Sequence, residues 1–175
     1  AVEGVREGDY ITTCEWSKIT NQKESNIIKI AGKPEQVDCF LPEPLACAVN
    51  TAAFSHIYPG DRVIVFGTGY MGLLLVQLLA KYPISGLVAV DIKQRNLLIA
   101  SKYGADEIIN PQTEEGEKRL NELMETPFDI AYECSGAAVP LDWCTRLVKR
   151  GGKIGIFAWH HEPRMFDTNV WHDRG

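Results

Sequence analysis

Three glycines and one acid have the residue types and spacing for chemistry. Gly67, Gly69 and Gly72 form a G-x-G-x-x-G pattern around Thr68, Tyr70 and Met71, and Asp91 stands nineteen residues beyond Gly72. Where such a turn opens a helix, unpaired backbone N–H groups and the positive end of the helix dipole suit the negative charge of a pyrophosphate. Gly67 would permit the tight turn, Gly69 the approach of a diphosphate to the backbone, and Gly72 the close packing of helix on strand. A carboxylate at Asp91 suits the two hydroxyls of an adenosine ribose. These residues point to a dinucleotide, and Asp91 to NAD over NADP, because a carboxylate repels a 2′-phosphate. Lys93 and Arg95 either soften that preference or are exposed residues at the start of the next helix.

Glycines also punctuate ordinary turns, so the pattern depends on the elements around it. Arg62 to Phe66 is a β-branched run, Leu73 to Ala80 is apolar, and Leu87 to Asp91 reads as a second buried strand. Strand, glycines, helix, strand and acid therefore follow in register. Further strands are expected near 107–109, 128–132 and 153–158, with helices at 70–81, 93–102, 114–124 and 137–148. Strands rich in Val and Ile without polar alternation fit a parallel sheet covered on both faces, so the fold class is α/β, a doubly wound Rossmann-type sheet. Gly104 and Gly151-Gly152 are expected to close the helices before them. The segment from Asp167 to Trp171 reads as a loop or short helix, which leaves the sheet without a sixth strand.

Two later strand ends carry further candidates. Glu133-Cys134-Ser135-Gly136 follows the strand at 128–132, and ligands in open α/β sheets lie beyond the carboxyl ends of strands. Ser135 and Gly136 are placed to meet the cofactor. Cys134 reads as buried filler rather than a nucleophile, since no histidine is assignable beside it. Phe157 and Ala158 end the fifth strand, where backbone groups would orient a nicotinamide carboxamide. His160-His161-Glu162 reads as a solvated loop, because three adjacent residues of an extended chain cannot converge on one ion.

Residues 1–40 look different. Gly8 to Thr12 and Ile27 to Ile30 are short β pieces separated by a polar loop, Ser17 to Asn26, and they read as the end of a separate β domain. Residues 41–60 form a connection, with Leu41-Pro42-Glu43-Pro44 as an elbow and Leu45 to Phe54 as a helix. Glu43 is either an acid held in an interdomain cleft or a surface carboxylate. Residues 61–175 make up the nucleotide-binding domain.

The net charge is −5 in 175 residues, with no basic face, which argues against nucleic acid. The longest apolar stretch is too short for a bilayer and no leader pattern opens the chain, so the cytoplasm is the expected compartment. Five cysteines, none in a C-x-x-C pair, argue against a disulfide framework or a four-cysteine zinc lobe.

Residues 41–159 resemble the zinc-containing medium-chain dehydrogenase/reductase superfamily, particularly its sorbitol, threonine and other alcohol dehydrogenase branches. The matching pieces are Glu43 to Val49, Pro59-Gly60-Asp61, Gly67 to Gly72, Val90-Asp91, Tyr103 to Asp106, Phe128-Asp129, Glu133 to Gly136 and Arg150-Gly151-Gly152. The resemblance implies a GroES-like catalytic domain of which residues 1–40 are a remnant, and an alcohol or polyol that exchanges hydride with NAD beside a catalytic zinc. It also implies that Glu43 lies at that zinc and that the protein is a homo-oligomer. The family's other zinc ligands, its proton relay and its last strand have no counterpart here, so the chain is expected to be a fragment, inactive alone. A basic residue usual five positions after the ribose acid is replaced by Asn96. The alternatives are a non-catalytic Rossmann module that senses NAD or mediates assembly, and a zinc-free NADPH-dependent reductase.

Overall fold

The computed structural model describes residues 4–12, 28–30, 42–165 and 168–174. The chain divides into two units, Ala1–Cys47 and Ala48–Gly175. In the first, β1 (Ile11–Thr12) pairs antiparallel with β2 (Ile28–Lys29), and Lys29 is paired with Asp9 at 2.8 Å. The expected loop at Ser17 to Asn26 lies outside the described residues.

Helix α1 (Pro42–Phe54) corrects the expected elbow, because Pro42 and Pro44 fall within its first turn. First-turn N–H groups have no intrahelical acceptor, so a proline there sacrifices no bond and its fixed φ already suits the helix.

The second unit is a parallel sheet in the order β5-β4-β3-β6-β7. Its elements are β3 (Arg62–Phe66), α2 (Tyr70–Leu79), β4 (Gly86–Val90), α3 (Gln94–Lys102), β5 (Glu107–Ile109), α4 (Glu114–Glu122), a 3₁₀ turn at Leu123–Glu125, β6 (Phe128–Glu133), α5 (Ala138–Leu147), β7 (Val148–Ile156) and α6 (Thr168–Arg174). The doubly wound class expected from the sequence is what forms. The chain runs outward from β3 through β4 to β5, then returns to the other side of β3 for β6 and β7. That reversal between β3 and β6 is where an open α/β sheet has its ligand crevice.

Strand side chains alternate between the faces, and the two faces build two cores. Val63, Val65, Ala89 and Tyr132 pack with Leu75, Val76 and Leu79 of α2. Ile64, Phe66, Val88 and Ala131 pack with Leu120, Cys144 and Leu147 from α4 and α5. Each such buried aliphatic or aromatic side chain contributes about 1.5–3 kcal/mol relative to exposure. This two-sided burial gives the central strands their uninterrupted apolar run.

Gly104 follows α3 with φ +108°, as expected of a residue that ends a helix. Gly151 and Gly152 do not close α5. The helix passes directly into extended Val148, so both glycines lie inside β7, where the register against β6 shifts between Phe128 and Ile130. That irregularity also starts the strand five residues earlier than expected and ends it at Ile156. Among the described residues, no helix is long and apolar enough to cross a membrane.

Candidate functional site

The turn after β3 is shaped by three glycines with different surroundings. Gly67 has φ +89°, and a Cβ there would lie 2.7 Å from the Ser135 backbone nitrogen. Its N–H donates to the Val90 carbonyl at 2.8 Å, while the Cys134 N–H donates to the Phe66 carbonyl at 2.7 Å, so the turn is tied to both neighbouring strands. A Cβ on Gly72 would stand 1.9 Å from the Gly67 carbonyl oxygen, so α2 packs against the turn that ends β3 with no room for a side chain here. Gly69 differs, since a Cβ there would meet nothing within 4 Å. It caps α2 in an extended conformation with no side chain satisfying the first turn. Tyr70 is exposed and Met71 half-buried beside it. The open space and the available helix N-terminus coincide at Gly69.

Asp91 is buried at the end of β4. Its Oδ2 accepts the Thr68 N–H at 2.6 Å, the Thr68 hydroxyl at 3.0 Å and the Asn96 amide at 3.3 Å. Its Oδ1 accepts the Lys93 backbone N–H at 2.8 Å. One residue therefore links the glycine turn to the start of α3. A carboxylate oxygen has room for about two donors, so Oδ1 retains capacity for one more. Thr68, expected at the cofactor, directs both its polar groups to Asp91. Asn96, where the family pattern usually has a basic residue, supplies a neutral donor to the same oxygen. Lys93 and Arg95 are exposed.

The loop after β6 is organised inward. Glu133 is fully buried, and its Oε1 accepts the Ser135 N–H at 2.7 Å, the Ser135 hydroxyl and the Gly136 N–H at 3.1 Å. Oε2 lies 2.8 Å from His160 Nε2. Arg164 Nε donates to His160 Nδ1 at 3.1 Å, and Arg164 Nη2 donates to the Gly136 carbonyl at 3.1 Å. The expectation of a solvated loop is thus wrong for His160, whose side chain is only 12% exposed, because a buried carboxylate recruits it. It holds for His161 and Glu162, which are exposed. Nothing in the local sequence announces this grouping, since Glu133 and His160 are 27 residues apart.

Cys134 behaves as filler. Burial pushes its thiol pKa well up and the Glu133 charge adds to the effect, so the reactive thiolate is suppressed at neutral pH. The N–H groups of Phe157 and Ala158 both donate to the Glu133 carbonyl, at 2.8 and 3.1 Å. Of the backbone groups of Phe157 and Ala158, this leaves the carbonyls for a ligand. In the first unit, Glu43 accepts a hydrogen bond from the Cys47 thiol at 3.3 Å, one helical turn away. Among the described residues, no three His, Cys, Asp or Glu side chains gather to hold a metal ion.

A strand-order reversal, a glycine turn opening a helix and an acid at the next strand end together define a dinucleotide-type α/β domain. The pattern of the family described as "Zinc-binding dehydrogenase" matches residues 70–174, and the chain belongs to that family. An uncharacterized zinc-type alcohol dehydrogenase-like protein, YdjJ, from Escherichia coli (strain K12) is 31% identical over 134 residues, which cover 76% of this chain and 39% of that protein. Sorbitol dehydrogenase from Bacillus subtilis (strain 168) is 27% identical over 117 residues, covering 66% of this chain and 33% of the relative. L-idonate 5-dehydrogenase (NAD(P)(+)) from E. coli (strain K12) is 27% identical over 128 residues, covering 73% and 37%. Among solved structures, a putative zinc-binding dehydrogenase (gutB) from Clostridium scindens ATCC 35704 superposes with a TM-score of 0.75 at 29% identity, covering 87% of this chain and 43% of that one. The chain spans less than half the length of these relatives.

Proposed function

We propose that the second unit binds NAD in the crevice beyond β3 and β6, as the nucleotide-binding part of a zinc-dependent cytoplasmic dehydrogenase acting on an alcohol or polyol. The observation that carries the reading is Asp91, held rigidly at the end of β4 with acceptor capacity left on Oδ1. The diphosphate would lie over Gly69, where nothing fills the space, and take N–H donors from the first turn of α2. Asp91 Oδ1 would accept a hydroxyl of the adenosine ribose and disfavour a 2′-phosphate. The carbonyls of Phe157 and Ala158, with the loop at Cys134, Ser135 and Gly136, would border the nicotinamide. Bound NAD supplies the hydride acceptor.

Glu43 is proposed as a neighbour of the zinc. The donors it has among the described residues do not make a metal site, so no chemical step is derived through the ion. Homo-oligomerisation is likewise proposed from the family resemblance. A second reading, use of NADP, is favoured by the exposure of Lys93 and Arg95 near Asp91.

A crystal structure of the chain soaked with NADH tests the placement. Density for the diphosphate over Gly69 and for the adenosine ribose on Asp91 is expected. Nucleotide density on any other face of the sheet would overturn the reading.

A further inference from the structure

Glu133 is a fully buried carboxyl group at the end of β6, where a carboxylate left without partners costs several kcal/mol. It is satisfied by two elements at once. Ser135 and Gly136 belong to the loop after β6, and His160 to the segment after β7. A guanidinium has donors and no acceptor, so the Arg164 Nε–H makes His160 Nδ1 an acceptor and leaves the imidazole hydrogen on Nε2, facing Glu133. Arg164 Nη2 then reaches back to the Gly136 carbonyl, which closes a ring of contacts through Glu133, Gly136, Arg164 and His160. The two segments also touch directly, because a Cβ on Gly136 would lie 2.8 Å from the Trp159 carbonyl oxygen.

On the preceding reading, on which this inference rests, α2 and Asp91 hold the adenosine and diphosphate on the β3–β4 side. The joined segments stand on the β6–β7 side. We propose that Glu133, His160 and Arg164 are positioning residues that set the nicotinamide wall of the crevice without touching the adenosine half. The Phe157 and Ala158 N–H groups hold to the Glu133 backbone carbonyl and the Glu133 side chain holds His160, two residues further on, so the segment that carries the Phe157 and Ala158 carbonyls is tied at both ends to one residue.

The test compares calorimetric affinities of the chain for NADH and for ADP-ribose, which lacks the nicotinamide. In His160→Ala, NADH affinity should fall about tenfold, the size expected for losing one hydrogen bond to a charged group, while ADP-ribose affinity stays within about twofold. His160→Gln should restore most of the NADH affinity, since its amide can donate to Glu133 and accept from Arg164. Arg164→Gln, a milder change at a half-buried position, should lower NADH affinity in the same selective way, and it keeps the test open if His160→Ala does not fold. An equal loss for both ligands would show a general structural role and overturn the proposal. So would unchanged NADH binding in both His160→Ala and Arg164→Gln. If the unmutated chain binds ADP-ribose but gains nothing from the nicotinamide, this inference fails alone. Binding of neither ligand overturns the nucleotide reading and this inference with it.

Discussion

Gly72→Ala separates packing from ligand binding when set beside Gly69→Ala. In an exposed helix interior, Gly to Ala gains about 1 kcal/mol of helix propensity. At Gly72 the new Cβ would stand 1.9 Å from the Gly67 carbonyl oxygen and 3.0 Å from its carbon. Ordinary carbon–oxygen contact is about 3.3 Å, so a backbone group held between β3 and β4 must move by more than about 1 Å. Overpacking of that kind costs about 1–3 kcal/mol, and more where backbone must yield, so the clash outweighs the propensity gain. A net loss of about 2 kcal/mol lowers the melting temperature by roughly 4–8 °C for a chain of this size. Gly69→Ala meets open space at φ −68°, so its melting temperature should not fall, while its nucleotide affinity should drop because the Cβ would occupy the position proposed for the diphosphate. Differential scanning fluorimetry with and without NADH reads both effects. Equal melting temperatures for Gly72→Ala and the unmutated chain would refute the helix–strand argument, and undiminished NADH binding by Gly69→Ala would refute the position given to the diphosphate.

Two further outcomes follow from the same contacts. Thr68→Val removes the hydroxyl bond to Asp91 but keeps the N–H bond, so about 1.5–3 kcal/mol of stability should be lost, with weaker NAD binding; urea denaturation with an unchanged midpoint would contradict the link. Burial alone would raise the Asp129 pKa, yet the Arg62 N–H at 2.7 Å and the Lys149 ammonium hold it below its ordinary value. A depressed carboxylate stabilises the fold fully above its unfolded pKa and loses that contribution as pH falls through the folded value. Asp129→Asn should therefore cost most near neutral pH and progressively less as pH falls below the ordinary aspartate range, and urea midpoints showing the same cost at every pH would refute the assignment.

The turn, its acid and the fold class were legible because their signals are local. A β-branched run, three glycines and a carboxylate at fixed offsets are each required by one strand–turn–helix–strand unit. The polar ring around Glu133 was not legible, because His160 and Arg164 reach it across a sheet crossover rather than at any periodic spacing. The roles of Thr68 and Ser135 were half legible. Their position beside the crevice follows from the motif, but their hydroxyls serve buried carboxylates instead of facing outward. The start of α1 and the glycines in β7 were misread for one reason, that Pro and Gly carry different meanings inside an element and between elements. Glu43 remains an acid with one described partner, Cys47.

The most direct measurement is calorimetric titration of the chain with NAD and with NADP under the same salt. The Asp91 geometry predicts NAD binding at least about tenfold tighter, since one repulsive or lost contact at the ribose is worth about 1.4 kcal/mol. Tighter binding of NADP, or no binding of either, would contradict it.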